Sequence, residues 1–163
     1  MAHTGHLEQA RAGDGARRRP AAGGVDERVG EPVDDAASWR ARRELYAGFL
    51  DGGGFALLAE REGELIGYAM VAVTPVAETL MPDTWRTGEL VAEIETLSVT
   101  PAARGEGVGS ALLDRIDAEL ESAGVDDVMI GAFVTNADAI RLYERRGFRP
   151  AWLYMLRLGG RSA

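Results

Sequence analysis

Leu97-Ser-Val-Thr-Pro-Ala-Ala-Arg-Gly-Glu-Gly-Val-Gly-Ser-Ala-Leu-Leu113 is the stretch on which the fold turns. Leu97 and Val99 alternate as strand residues do, and Pro101 interrupts the ladder. Glycines at 105, 107 and 109 then lead into Val108, Ala111, Leu112, Ile116 and Leu120, spaced along one face of a helix that stops at Gly124. A strand passing through a Gly-rich turn into an amphipathic helix makes a seat for an anion. The N–H groups of a helix's first turn have no partner within it, and the helix dipole is positive there. Glycine lets those amides approach a phosphate without an intervening Cβ, and Arg104 adds charge. Acidic Glu106 is expected to point to solvent. The nucleoside-triphosphate loop requires Gly-Lys-Ser/Thr, and this chain has no lysine. The dinucleotide fingerprint requires Gly-x-Gly-x-x-Gly and an acidic residue closing the next strand. Here the glycines are two apart, and Ala132, Phe133 and Val134 stand at that strand's end. A plain β–α turn with glycines kept for packing is the other reading of the cluster.

Upstream, Glu89–Thr100 reads as the feeding strand. Its apolar positions are Leu90, Ala92 and Ile94, then Leu97 and Val99. The switch from even to odd numbers is what a β-bulge produces. Before it, Pro75–Gly88 is a loop holding Pro82 and Trp85, long enough to have a function of its own. Phe55–Glu60 and Leu65–Thr74 flank a short turn with Gly63 and read as a hairpin. Gly67 within the second run marks a bulge or a close backbone approach. Earlier still, Asp34 and Asp35 favour a helix start, and Trp39, Arg43, Tyr46, Phe49 and Leu50 recur at helical spacing until Gly52–Gly54. Downstream, Asp127–Val134 reads as a buried strand. A helix follows with Asn136 as its cap and Asp138 in its first turn, closed by Arg145, Arg146 and Gly147. Phe148–Leu158 reads as a last strand. The order after residue 54 is β-β-β-α-β-α-β, one α/β domain without internal repeats.

Composition sets the outer bounds. With 163 residues, 46% hydrophobic and 27% charged, the chain has the size and make-up of one globular domain. No apolar run reaches the roughly 18–20 residues of a membrane helix, and the N-terminus lacks the pattern of a secretory signal. There is no cysteine, which excludes disulfides, thiolate nucleophiles and Cys-based zinc sites and suits a reducing cytoplasm. The net charge is −8, and all 18 basic residues are Arg. Such a chain repels a phosphate backbone and attracts cationic partners, amines included. Residues 1–33 hold few large apolar side chains and read as a mobile or loosely docked segment, with Arg17–Arg19 a solvated run and residues 34–163 forming the domain.

Two motifs occur together and in order: Arg104-x-x-Gly107-x-Gly109 after Leu97-x-Val99, then Asn136-Ala-x-Ala139-x-x-Leu-Tyr143-x-x-x-Gly147-Phe148. This pairing resembles the GNAT superfamily of acetyl-CoA-dependent N-acetyltransferases over about residues 36–158, best from 89 to 148. The resemblance implies a single-domain GNAT-like fold: a mixed, mostly antiparallel sheet flanked by helices, with a bulged central strand splayed from the next. It implies a pyrophosphate cradled by Arg104, Gly105, Glu106, Gly107, Val108, Gly109 and Ser110. It implies a pantetheine arm paired with Leu97, Ser98 and Val99 and bordered by Asn136 and Ala139. No metal is implied. Tyr143 takes the position of the family's general acid, a phenol able to protonate the departing thiolate while staying neutral near pH 7. Packed with Ala139 and Ile140, it reads equally as a core residue. Asn136 bonds the pantetheine arm, caps its helix, or does both.

The resemblance implies a carboxylate as general base, Glu93 or Glu95, which flank Ile94 and share a face by alternation; a pair of exposed strand carboxylates is the alternative. His3 and His6 lie in the weak N-terminal segment and are not candidates. The family's usual first strand and helix have no convincing counterpart in residues 1–33. That edge is absent, or irregular, or completed by a partner chain as in a homodimer. Met81, Trp85 and residues 36–50 are candidate acceptor walls. The expected activity is acetyl transfer from acetyl-CoA to a primary amine of a small molecule or peptide, in the cytoplasm. The alternative is an acyl-CoA-binding sensor or scaffold without catalysis.

Overall fold

The computed structural model describes residues 34–79, 81–82 and 84–157. The N-terminal segment, Arg17–Arg19, His3, His6 and the end of the chain from Leu158 lie outside the described residues. The first described element is helix α1, Asp35–Asp51, begun by Asp34, whose carboxylate accepts from Ala37 N at 2.8 Å. Only part of the expected stripe is buried: Tyr46 is 2% exposed, whereas Trp39 is 44% exposed. Gly54 then passes so close to the sheet that a Cβ there would lie 2.4 Å from the Val71 carbonyl oxygen, which excludes every other residue.

Strands β1 (Phe55–Arg61) and β2 (Glu64–Pro75) form the expected hairpin. Its turn residues Glu62 and Gly63 both have positive φ, at 53° and 80°, the primed-turn geometry that matches strand twist. Both readings of Gly67 hold. The register slips beside it, pairing Ala59 with Gly67 but Glu60 with Leu65. A Cβ on Gly67 would also press the Ser98 carbonyl oxygen at 3.0 Å and Val108 Cγ1 at 3.2 Å.

Strand β3, Leu90–Val99, runs antiparallel to β2, and strand β4, Asp127–Ile130, runs parallel to β3. The sheet order is β1-β2-β3-β4. Helix α2, Val108–Ala123, covers one face of the sheet. There Leu113, Ile116 and Leu120 meet Ala69, Val71, Ala92 and Ile94 in the main core. Fully burying each such aliphatic chain contributes about 1.5–3 kcal/mol. Helix α1 lies over the opposite face, and helix α3, Ala137–Arg145, packs Leu142 and Tyr143 against the rim of the main core.

Two expectations need correction. The fourth strand ends at Ile130 rather than Val134, and Phe133 and Val134 are exposed. Its neighbour β3 bulges just after Ile94, the last paired residue, so the ladder has no acceptor or donor to continue on. The expected strand Phe148–Leu158 is irregular through residue 157, with Leu153–Leu156 exposed and Met155 at 88%. Its apolar run reported a tendency to be buried, but a strand also needs an edge to hydrogen-bond with. Phe148 holds its start against the main core, and further along Trp152 packs against Trp85 with ring centres 4.9 Å apart.

Candidate functional site

The bulge lies where the change of apolar phase put it. Met70 pairs with Thr96 and Val71 with Ile94, which leaves Glu95 as the extra residue of β3. Pairing with β4 stops at Ile94 opposite Ile130, so β3 runs on through Leu97, Ser98 and Val99 with no β4 partner. The two parallel strands thus part at the middle of the molecule. On that side the main chain of Leu97, Ser98 and Val99 is not paired with β4, and an unpaired strand edge is what an extended ligand joins when it pairs as a strand would.

Past Val99 the chain makes a short 3-10 turn, Pro101–Ala103, and enters the glycine loop. Gly105 and Gly107 have φ of 79° and 87°, a left-handed backbone that favours glycine. Nothing lies within 4 Å of a Cβ built on either, so the loop is open outward and conformation, not crowding, calls for glycine there. Gly109 differs, because a Cβ on it would meet Leu142 Cδ2 at 3.3 Å. It keeps α2 and α3 close, so the packing reading holds for Gly109, whereas backbone conformation accounts for Gly105 and Gly107.

Gly107 caps α2 without a side chain, and the first helical bond runs from Ala111 N to Gly107 O at 2.9 Å. The N–H groups of Val108, Gly109 and Ser110 precede that bond and converge at the positive helix end. A helix N-terminus with unpaired amides is the kind of place where anions bind. Glu106 is drawn off by an ion pair with Arg61 at 2.6 Å. Arg104 is exposed, and its Nε donates to the Val99 carbonyl oxygen at 3.3 Å. Arg146, whose role the sequence pattern did not reveal, ties α3 to this helix by pairing with Asp114 and by donating to the Ser110 carbonyl oxygen at 2.9 Å.

Asn136 caps α3 by accepting from Ala139 N at 3.3 Å, which leaves its amide NH2 free of the cap. Tyr143 is half-buried against the main core and meets Phe148 edge-on at 6.1 Å. Burial pushes its phenol above the usual tyrosine range, so it holds its proton firmly at neutral pH.

Glu93 lies opposite Ala72, one residue from core residue Ile94 and so on the α1 face of the sheet. Glu95 is half-buried, and its carboxyl is raised first by burial and then by the charge of Glu93, with Arg42 opposing both. The two carboxylates are therefore neighbours, both half-buried. Sequence reading missed the group beside them. Arg42 NH1 donates to Tyr46 OH and to Thr96 Oγ1, both at 3.1 Å, and the two hydroxyls are 2.5 Å apart. The i to i+4 spacing of Arg42 and Tyr46 was visible in the sequence, but the meeting with Thr96 was not. Of the proposed acceptor walls, Met81 is half-buried and Trp85 holds Trp152.

A sequence model of the Acetyltransferase (GNAT) family matches residues 25–148. A mycothiol acetyltransferase of Acidothermus cellulolyticus is 38% identical over 109 residues, covering 66% of this chain and 33% of the relative. The chain thus spans about a third of that curated relative's length. Among solved structures, a Pyrococcus furiosus protein described as an acetyl transferase superposes with a TM-score of 0.63 and 25% identity, covering 78% of this chain and 81% of the other. An acetyltransferase of Clostridium acetobutylicum solved with acetyl-CoA shares the fold, with a TM-score of 0.58, 20% identity and 77% coverage of each chain. The match runs through the bulged strand, the glycine loop and the capped helix that carry the site, and the chain belongs to the GNAT acetyltransferase family.

Proposed function

We propose that this chain transfers an acetyl group from acetyl-CoA directly to a primary amine. The observation that carries the reading is the parting of β3 from β4 after Ile94. The helix seat of Val108–Ser110 lies at one end of the exposed strand and the Glu93–Glu95 pair at the other. The α2 N-terminus would hold the pyrophosphate, with Arg104, Gly105, Glu106 and Gly107 forming its loop. The main chain of Leu97, Ser98 and Val99 would pair with the pantetheine arm, with Val99 exchanging its Arg104 contact for the ligand. Asn136 and Ala139 would border that arm.

When bound, the thioester supplies an activated acyl carbon. Glu95, or Glu93 beside it, takes a proton from the acceptor ammonium so that the nitrogen lone pair can form the new C–N bond. As the C–S bond breaks, Tyr143 gives its proton to the departing sulfur, and the second proton, shed by the nitrogen as the amide forms, passes through solvent to restore the phenol. With no cysteine in the chain, the acetyl group passes to the amine without a stop on a protein thiol. The acidic surface favours cationic acceptors, and the cysteine-free composition suits the cytoplasm.

The test is release of free CoA thiol from acetyl-CoA on addition of polyamines, aminoglycosides, amino acids or short peptides. Amine-dependent thiol release with a mass gain of one acetyl group on the acceptor supports the proposal. Tight acetyl-CoA binding with no turnover across the panel overturns it in favour of a sensor or scaffold.

A further inference from the structure

Helix α1 makes polar contact with the sheet at the bulge. Arg42 and Tyr46 lie one turn apart on the helix, and both hydrogen-bond to Thr96, the residue directly after Glu95. Tyr46 is almost wholly buried, and Arg42 and Thr96 are half-buried, so the contact is shielded in part from solvent. A bulge residue has no ladder partner to hold it. In this chain the flanking residue is held instead, by two side chains from a different element.

The proton count of this group points the same way. Arg42 donates to both hydroxyls, and one hydroxyl then donates to the other. With the guanidinium unable to accept, Arg42 is the donor to both hydroxyls, and its positive charge lies within electrostatic reach of Glu95. The charged groups that act on Glu95 are Arg42 from α1 and Glu93 on its own strand, while Tyr46 from α1 and Tyr68 from β2 act on Arg42. Arg42 is the cation among them.

We propose that Arg42, clamped to Tyr46 and Thr96, is a positioning residue for acetyl transfer, fixing the bulge against α1 and setting its charge beside Glu95. The proposal rests on the reading of Glu95 as the proton acceptor. An opposite charge favours the carboxylate, so loss of Arg42 leaves burial and Glu93 to act on Glu95 unopposed. The proton acceptor then stays protonated to higher pH.

The experiment compares the pH profile of kcat/KM for wild type, Arg42→Gln, Arg42→Lys and Thr96→Val, with acetyl-CoA affinity measured calorimetrically on each. In Arg42→Gln the acid limb moves to higher pH while acetyl-CoA affinity is retained, because the pyrophosphate seat is on α2. Arg42→Lys returns the limb towards the wild-type position by restoring the charge. Thr96→Val keeps the charge and lowers kcat about tenfold, a fraction of the 10²–10⁴-fold that a general base contributes. An Arg42→Gln limb superimposed on that of active wild type overturns the inference and leaves the acetyltransferase reading standing. If Arg42→Gln does not fold, an unchanged kcat in Thr96→Val overturns it instead. Wild type that binds acetyl-CoA but acetylates no amine overturns the function itself, a result distinct from either.

Discussion

In the proposed reaction Tyr143 and Glu95 face opposite demands, and their surroundings suit them to different roles. Burial raises the phenol of Tyr143, which keeps the proton on a group whose task is to give one away. The same kind of burial, reinforced by Glu93, raises the carboxyl of Glu95 towards the range where a base is useful near neutrality. Tyr143→Phe should lower kcat by roughly 10²-fold with acetyl-CoA affinity little changed; unaltered steady-state kinetics would remove the phenol from the reaction. For Glu95 the sign is set by its base role, which needs the ionised form. Activity falls as pH drops through a pKa held above the ordinary carboxylate value, so the acid limb of kcat/KM lies above that value. Glu93→Gln removes a like charge and should move the limb to lower pH, whereas Glu95→Gln should abolish it. A limb lost in Glu93→Gln and kept in Glu95→Gln would exchange their assignments.

Among the elements, the glycine loop and its helix are where local chemistry and tertiary packing are easiest to separate. Gly105 and Gly107 owe their identity to positive φ in an open loop, Gly109 to the approach of Leu142. Gly107→Ala places a Cβ on a left-handed residue at a cost of about 1–2 kcal/mol, and reshapes the seat. Its expected signature is a raised KM for acetyl-CoA with kcat largely kept, and equal KM values for variant and wild type would argue against a phosphate at this turn. The bulge was legible because its cause is periodic: Ala92 and Ile94 face the core on one side of Glu95, and Leu97 does so on the other. The end of β4 was not legible, since Phe133 and Val134 look like strand residues. It is the departure of β3, a neighbour distant in sequence, that strands them.

At the scale of the whole molecule, stability is concentrated between α2 and the sheet. Ile116 is fully buried in the cluster that joins α2 to β2, β3 and Val125. Ile116→Ala should cost about 2–5 kcal/mol, read as a drop of roughly 5–15 °C in Tm; a smaller loss would mean that this core repacks. Hydrophobic period, turn glycines and caps are local properties, and they determined by themselves α1, the hairpin, the bulged strand, the Gly-rich turn into α2 and the capped α3, together with the family those motifs resemble. Only the tertiary structure decided where β4 stops, that Trp152–Arg157 forms no strand, and that Arg42, 54 residues before Thr96, meets it at the bulge. Each of these depends on which backbone or side chain a residue finds across the sheet, and a one-dimensional pattern records a residue's preference for burial but not the partner that satisfies it.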